Sequence, residues 1–300
     1  MKQAKLDLRE RQDILLTAMK SEKLVVDSSS PGMAAVVFHT GRAGQVTWNT
    51  DWWVIRTTPT NDSHPSFDRV QNALHLNALT GPVRHILSQD GADLALHAEF
   101  PLHDLESNDF DTLHERTVNA CAALTQQLAC GARHDDKRMP LPWDAADATG
   151  GDVSLPALLR DAGWPSASDH DRHSRVELEL RSGSQQANVE VRDDRIRLRV
   201  DLLDDTAGVS RECMYAASLF LLRAAAEMRL IAATVDLRES GFFPRLQVIL
   251  PRRADAEWVG HGLAALSFAY GMMAGQIEIL SGSEDIAARF LAMRTTQAAA

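Results

Sequence analysis

Residues Arg175–Leu203 read RVELELRSGSQQANVEVRDDRIRLRVDLL. Val176, Leu178 and Leu180 alternate with Glu177, Glu179 and Arg181. Ala187, Val189 and Val191 repeat the pattern, and Ile196, Leu198, Val200 and Leu202 then alternate with Arg195, Arg197 and Arg199. Side chains on a strand point to opposite faces in turn, so each run reads as a half-buried strand. Asp193-Asp194 supplies a turn. The three runs predict an antiparallel meander with one dry and one wet face. On the wet face, opposite charges can pair across strands at about 0.2–1 kcal/mol each.

The neighbours of this meander complete a unit. Before it, Ser154–Ala162 reads as a short helix with Ser154 as cap, Pro156 in the first turn and Gly163 as stop. After it comes a helix over Ser210–Ile231, with Met214, Ser218, Leu221, Ala225 and Met228 on one stripe and Tyr215, Leu219, Leu222 and Ala226 on the next. So wide an apolar surface asks for cover on two sides. Strands over Ala233–Leu237 and Arg245–Leu250 follow, then helices over Asp255–Gly275 and Ser283–Arg294.

The first half repeats this order. Arg9–Met19 reads as a helix; Met33–His39, Gln45–Asn49 and Trp52–Thr57 as strands, with GRAG (Gly41–Gly44) as a hairpin turn; and Pro65–Leu79 as a helix stopped by Gly81-Pro82. Strands over Arg84–Leu87 and Asp93–Pro101 and a helix over Asp109–Ala129 complete it. Phe100-Pro101 lies about 150 residues before Leu250-Pro251, and each pair precedes a polar loop and a long helix. The pattern predicts an internal duplication: a first α+β repeat over residues 1–133, a charged, Pro- and Gly-bearing linker over 134–152, and a second repeat over 153–300 with a C-terminal helix.

The order helix, three-stranded meander, helix, two strands, helix resembles the fold of class I type III secretion chaperones and of the bacterial sensory-transduction-regulator proteins that share it. The resemblance covers each half nearly end to end and is one of topology. It implies a small acidic cytoplasmic protein without catalytic residues, and a surface that binds an extended segment of another polypeptide. A tandem copy then implies an intramolecular pseudo-dimer within a monomeric chain.

Composition fits that class. The chain is 45% hydrophobic and 24% charged, with a net charge of −10, which argues against broad affinity for nucleic acid or anionic membranes. The N-terminal MKQAKLDLRERQD has no apolar signal core, and the apolar run near Tyr215–Leu222 is too short to span a bilayer. Cys121, Cys130 and Cys213 form no CxxC pair and read as buried thiols. A cytoplasmic location is expected.

No chemistry-bearing constellation stands out, and neither catalytic residues nor a cofactor is expected. His97, His103 and His114, with Asp104 and Glu106, lack a regular metal-ligand spacing, as does DHDRH at Asp169–His173. Ser28-Ser29-Ser30-Pro31-Gly32 reads as a turn-rich loop without a base beside it. GRAGQV lacks the Lys-Ser/Thr of a phosphate loop. Gly271 and Gly275 on a helix are expected to allow close packing, since each interior glycine costs about 1 kcal/mol against alanine. The remaining signal is aromatic. The runs AAVVF, QVTWN and DWWVIR carry apolar residues at successive positions, so both faces of the first sheet read as apolar. Trp48, Trp52 and Trp53 are the candidate partner-binding residues, with the outward member of the Trp52-Trp53 pair as anchor. A structural scaffold, or an enzyme or metal protein, are the alternatives to a polypeptide-binding module.

Overall fold

In a computed structural model of the chain, helix α1 (Leu8–Ser21) precedes four strands, β1 (Val25–Ser30), β2 (Met33–Val37), β3 (Ala43–Trp48) and β4 (Trp52–Thr57). Then follow α2 (Phe67–Asn77), β5 (Arg84–Leu87), β6 (Leu94–Pro101) and α3 (Phe110–Cys130). The second half contributes α4 (Leu155–Asp161), β7 (His173–Leu180), β8 (Gly183–Arg192), β9 (Arg195–Asp201), α5 (Arg211–Ala226), β10 (Ala232–Arg238), β11 (Gly241–Pro251), α6 (Ala256–Gly282) and α7 (Glu284–Gln297). The structure describes residues 8–58, 65–78, 83–88, 93–102, 110–130, 154–164, 166, 172–180, 183–192, 195–203, 208–238, 241–252 and 254–297. The expected linker over 134–152 lies outside them. The fold is α+β, with two sheets whose orders are β1-β2-β3-β4-β6-β5 and β10-β11-β9-β8-β7.

By contacts the chain divides into two compact units: Met1–Thr60 with Thr80–Arg84 and Ala95–Ala148, and Asn61–Leu79 with His85–Leu94 and Thr149–Ala300. In the first unit Leu15 and Met19 of α1 join Val36, Val46, Trp53, Ile55, Phe100 and Leu124 in one core. Alternation holds along β3, where Gly44, Val46 and Trp48 are buried and Gln45 and Thr47 exposed. Along β4 it breaks, because Val54 on the opposite face is buried as well. Strand β1 differs from the expected loop. Ser28, Ser29 and Ser30 pair with Ala35, Ala34 and Met33, and the turn is confined to Pro31-Gly32, where Gly32 has φ of 79°.

In the second unit the meander β7-β8-β9 forms as read, with β11 beside β9 and β10 at the edge. Its inner face, with Val176, Leu178, Val189, Ile196, Leu198 and Val200, packs with residues of α4, α5 and α6 in one core. Helix α5 has cover on two sides: it packs on α6 and α7 and also on α2. Leu219 and Leu222 are buried and Tyr215 is half-buried. Gln71 of α2 donates through Nε2 to the Ser218 hydroxyl at 2.7 Å. Asn77, fully buried, donates to the carbonyls of His85 and Ala233, accepts from the His85 N–H, and offers its own carbonyl to Gln247. α2 and α5 begin alike, with Ser66 and Ser210 side chains accepting from the backbone N–H three residues on.

The glycines of α6 behave differently from the expectation. At Gly262 a Cβ would meet Leu198 Cδ1 at 2.6 Å, so the absent side chain lets α6 approach the sheet. At Gly271 and Gly275 a Cβ would meet nothing within 4 Å. Close packing therefore belongs to Gly262, while the two expected positions face outward.

Candidate functional site

Trp48 and Trp53 are cross-strand partners on β3 and β4. Both face the first unit's core: Trp53 is fully buried, stacked on Phe100 with centroids 4.8 Å apart, and Trp48 is 5% exposed. The outward member of the pair is Trp52, which is half-buried. Trp53 therefore has no access to a partner, and Trp52 is the residue of the pair that reaches the surface.

Trp52 shares its face of β4 with Val54 and Arg56, whose partners on β6 are Glu99 and His97. This face carries a chain of polar groups. Arg56 donates through Nε to His97 Nδ1 at 3.0 Å, His97 Nε2 lies 3.1 Å from Glu99 Oε2, and Arg84 binds Glu99 Oε1 at 2.8 Å. Since Nδ1 accepts, Nε2 carries the proton and donates it to Glu99. Burial lowers the His97 pKa from 6.5 to about 4, and the Arg84 charge acts in the same direction against the opposing Glu99. Both ring nitrogens are engaged, and burial favours the neutral imidazole. Glu99 on β6 and Arg84 on β5 carry no sequence motif; only the parity of Glu99 with His97 marks their shared face.

Among the described residues no group of three or more His, Cys, Asp or Glu side chains is placed to hold a metal ion. His103, Asp104, Glu106 and Asp169–Asp171 lie outside the described residues. Cys121 is free and buried, and burial pushes its thiol pKa up, with Glu22 adding to the effect.

A groove of about 810 Å³ opens on the first unit between α1 and two hairpin turns. Arg9, Asp13 and Leu16 of α1 form one wall, Pro31-Gly32 another, and Trp48 with Asn49 and Thr50 the third. Its geometry follows from local chemistry. Asn49 Oδ1 accepts from the N–H groups of Asp51 and Trp52 and tightens the β3–β4 turn. Arg11 reaches from α1 to the Thr50 carbonyl at 3.0 Å and ties the helix to that turn. Strand β1, which contributes Ser29 to the rim, ends the sheet order and is exposed along most of its length. The groove is lined by apolar Leu16, Pro31 and Trp48 together with charged Arg9 and Asp13, and it lies beside the edge strand β1.

The outer face of the second sheet is polar, as its alternation indicates. Glu190 binds both Arg192 and Arg199, and Arg245 clasps Asp201 and Asp236. Arg197 sits among them with its pKa lowered by burial and by the charges of Arg199 and Arg192. One helix among the described residues, α6, is long and apolar enough to cross a membrane by length and composition. Leu263, Leu266, Met273 and Ile277 on its inner side are buried in the second unit's core. No protein-family model matches the chain, and no curated protein matches it.

Proposed function

We propose that the chain is a non-catalytic, cytoplasmic polypeptide-binding module, built as a tandem pair of repeats with the type III secretion chaperone-like fold. The observation that carries this reading is a repeated strand order. Apart from the additional edge strand β1, the first sheet's β2-β3-β4-β6-β5 and the second sheet's β7-β8-β9-β11-β10 follow the same order: a meander, then the last strand of the repeat, then the strand before it at the edge. The register agrees, since Pro101 ends β6 opposite Trp52 and Pro251 ends β11 opposite Arg195, the first residues of β4 and β9. The middle helices of the two repeats, α2 and α5, pack together, which supports an intramolecular pseudo-dimer.

The groove beside Trp48 is the surface on which such a module takes an extended segment. Leu16 lies at its wall, half-buried, and the open edge of β1 offers main-chain groups beside it. Selection of a displayed library of linear peptides against the whole chain tests this. The reading expects one motif with alternating apolar positions to be enriched, and its binding to fall at least tenfold in Leu16→Glu with the unfolding midpoint nearly unchanged. Failure to enrich any motif, or equal binding by the variant, contradicts it and leaves a scaffold role.

A further inference from the structure

The outer side of α6 is an apolar stripe. Phe268, Met272 and Ile279 are 66%, 57% and 46% exposed. Phe268, Met272, Gly275 and Ile279 follow one another at steps of four, three and four, and the exposed Ala264 and Gly271 lie beside them on the same side of the helix. That spacing places them on one line facing a single neighbouring helix. No charged residue lies between Phe268 and Ile279 on this line, but Glu278 borders it three residues after Gly275, and exposed Glu257 and His261 continue the same side toward the N-terminus. The helix itself is immobilised from the other side. Ser267 donates to the Glu179 carbonyl at 2.9 Å, and the Tyr270 hydroxyl lies 3.3 Å from Gln185, so the stripe is presented by a fixed element.

We propose that this stripe is a homodimer interface, in which α6 of a second copy packs antiparallel against α6. The stripe is complementary to itself when reversed. Phe268 and Ile279 are equidistant from its centre, and so are Met272 and Gly275. About a two-fold axis at that centre, Met272 meets the partner's Gly275, where the space at the Cβ position is open, and Phe268 meets the partner's Ile279. A side chain opposite an empty position is the fit that a helix provides and a fluid lipid surface does not need. The acidic net charge, with Glu278, Glu284 and Asp285 exposed nearby, also disfavours an anionic bilayer. The contact rests on the second unit alone and stands whether or not the groove binds peptides. It replaces the monomer expected from the sequence with a dimer of chains.

Sedimentation velocity of the full chain over a hundredfold concentration range tests the interface. The wild type should reach a dimer, and Phe268→Asp and Gly275→Leu should each weaken dimerisation at least tenfold with unchanged thermal midpoints at low concentration. Met272→Cys mixed with Gly275→Cys should form an interchain disulfide that neither variant forms alone. A wild type that stays monomeric overturns the proposal, as does a dimer indifferent to both substitutions. Phe268-dependent binding to phosphatidylcholine–phosphatidylglycerol vesicles by a monomeric chain overturns it in favour of a lipid surface.

Discussion

Adjacent tryptophans with opposite fates show how much a single strand position decides. Trp53 fills the first unit's core against Phe100, and Trp52 stands on the other face, half-buried. Truncating Trp53 to Ala should cost about 3–5 kcal/mol in urea unfolding, the range for a buried aromatic, whereas Trp52→Ala should cost under about 1.5 kcal/mol. That one of the pair faces inward follows from period two and was legible. Which one was not, since apolar residues on both sides of DWWVIR erase the alternation. The buried histidine gives a second prediction. His97 is neutral in the fold down to pH about 4, while an unfolded imidazole takes up its proton near 6.5. Protonation therefore favours the unfolded chain. Stability contributed by this group is full above pH 6.5 and falls by about 1.4 kcal/mol per unit as the pH drops towards 4. His97→Gln retains a donor and an acceptor without titrating. Its urea midpoint should change less between pH 7 and pH 5 than that of the wild type, and an identical slope would remove His97 from the account.

At the level of elements, apolar periodicity located the helices better than caps did. Ser154, the expected cap of α4, makes no side-chain capping bond, whereas Ser66 and Ser210, which carried no such expectation, cap α2 and α5 by accepting from the N–H groups of Arg69 and Cys213. Strand β1 was hidden because Ser28-Ser29-Ser30 is a poor strand sequence. Pairing with β2 rather than propensity makes it a strand. The glycines of α6 divide by what lies opposite. Gly262→Ala would press on Leu198 and should cost about 1–3 kcal/mol through overpacking. Gly271→Ala adds a methyl into open space on a helix and should raise the chain's own unfolding free energy by up to about 1 kcal/mol. Thermal unfolding of both variants at low concentration checks the contrast in sign.

At the scale of the whole molecule, the order of elements was legible in the second half, where strand alternation is clean, and in the first half apart from β1. The route by which the halves join was less so. A wide apolar surface on α5 implied a second neighbour, but the buried polar contacts, Gln71 to Ser218 and Asn77 to His85, Ala233 and Gln247, have no sequence signature. They place α2, from the first half of the sequence, in the core of the second unit, where Val70, Ala73 and Leu74 pack beside Leu219 and Leu222. Asn77→Ala should accordingly lose roughly 2 kcal/mol or more, since it strands several buried backbone groups. The pseudo-dimer is tested most directly by dividing the chain in its expected linker and producing residues 1–133 and 153–300 as separate polypeptides. The account predicts that they co-purify as a one-to-one complex when made together, and that 153–300 alone is unstable or self-associates, because its α5 and β10 lack α2. A fragment 153–300 that folds alone as a monomer with the unfolding midpoint of the intact chain would contradict it.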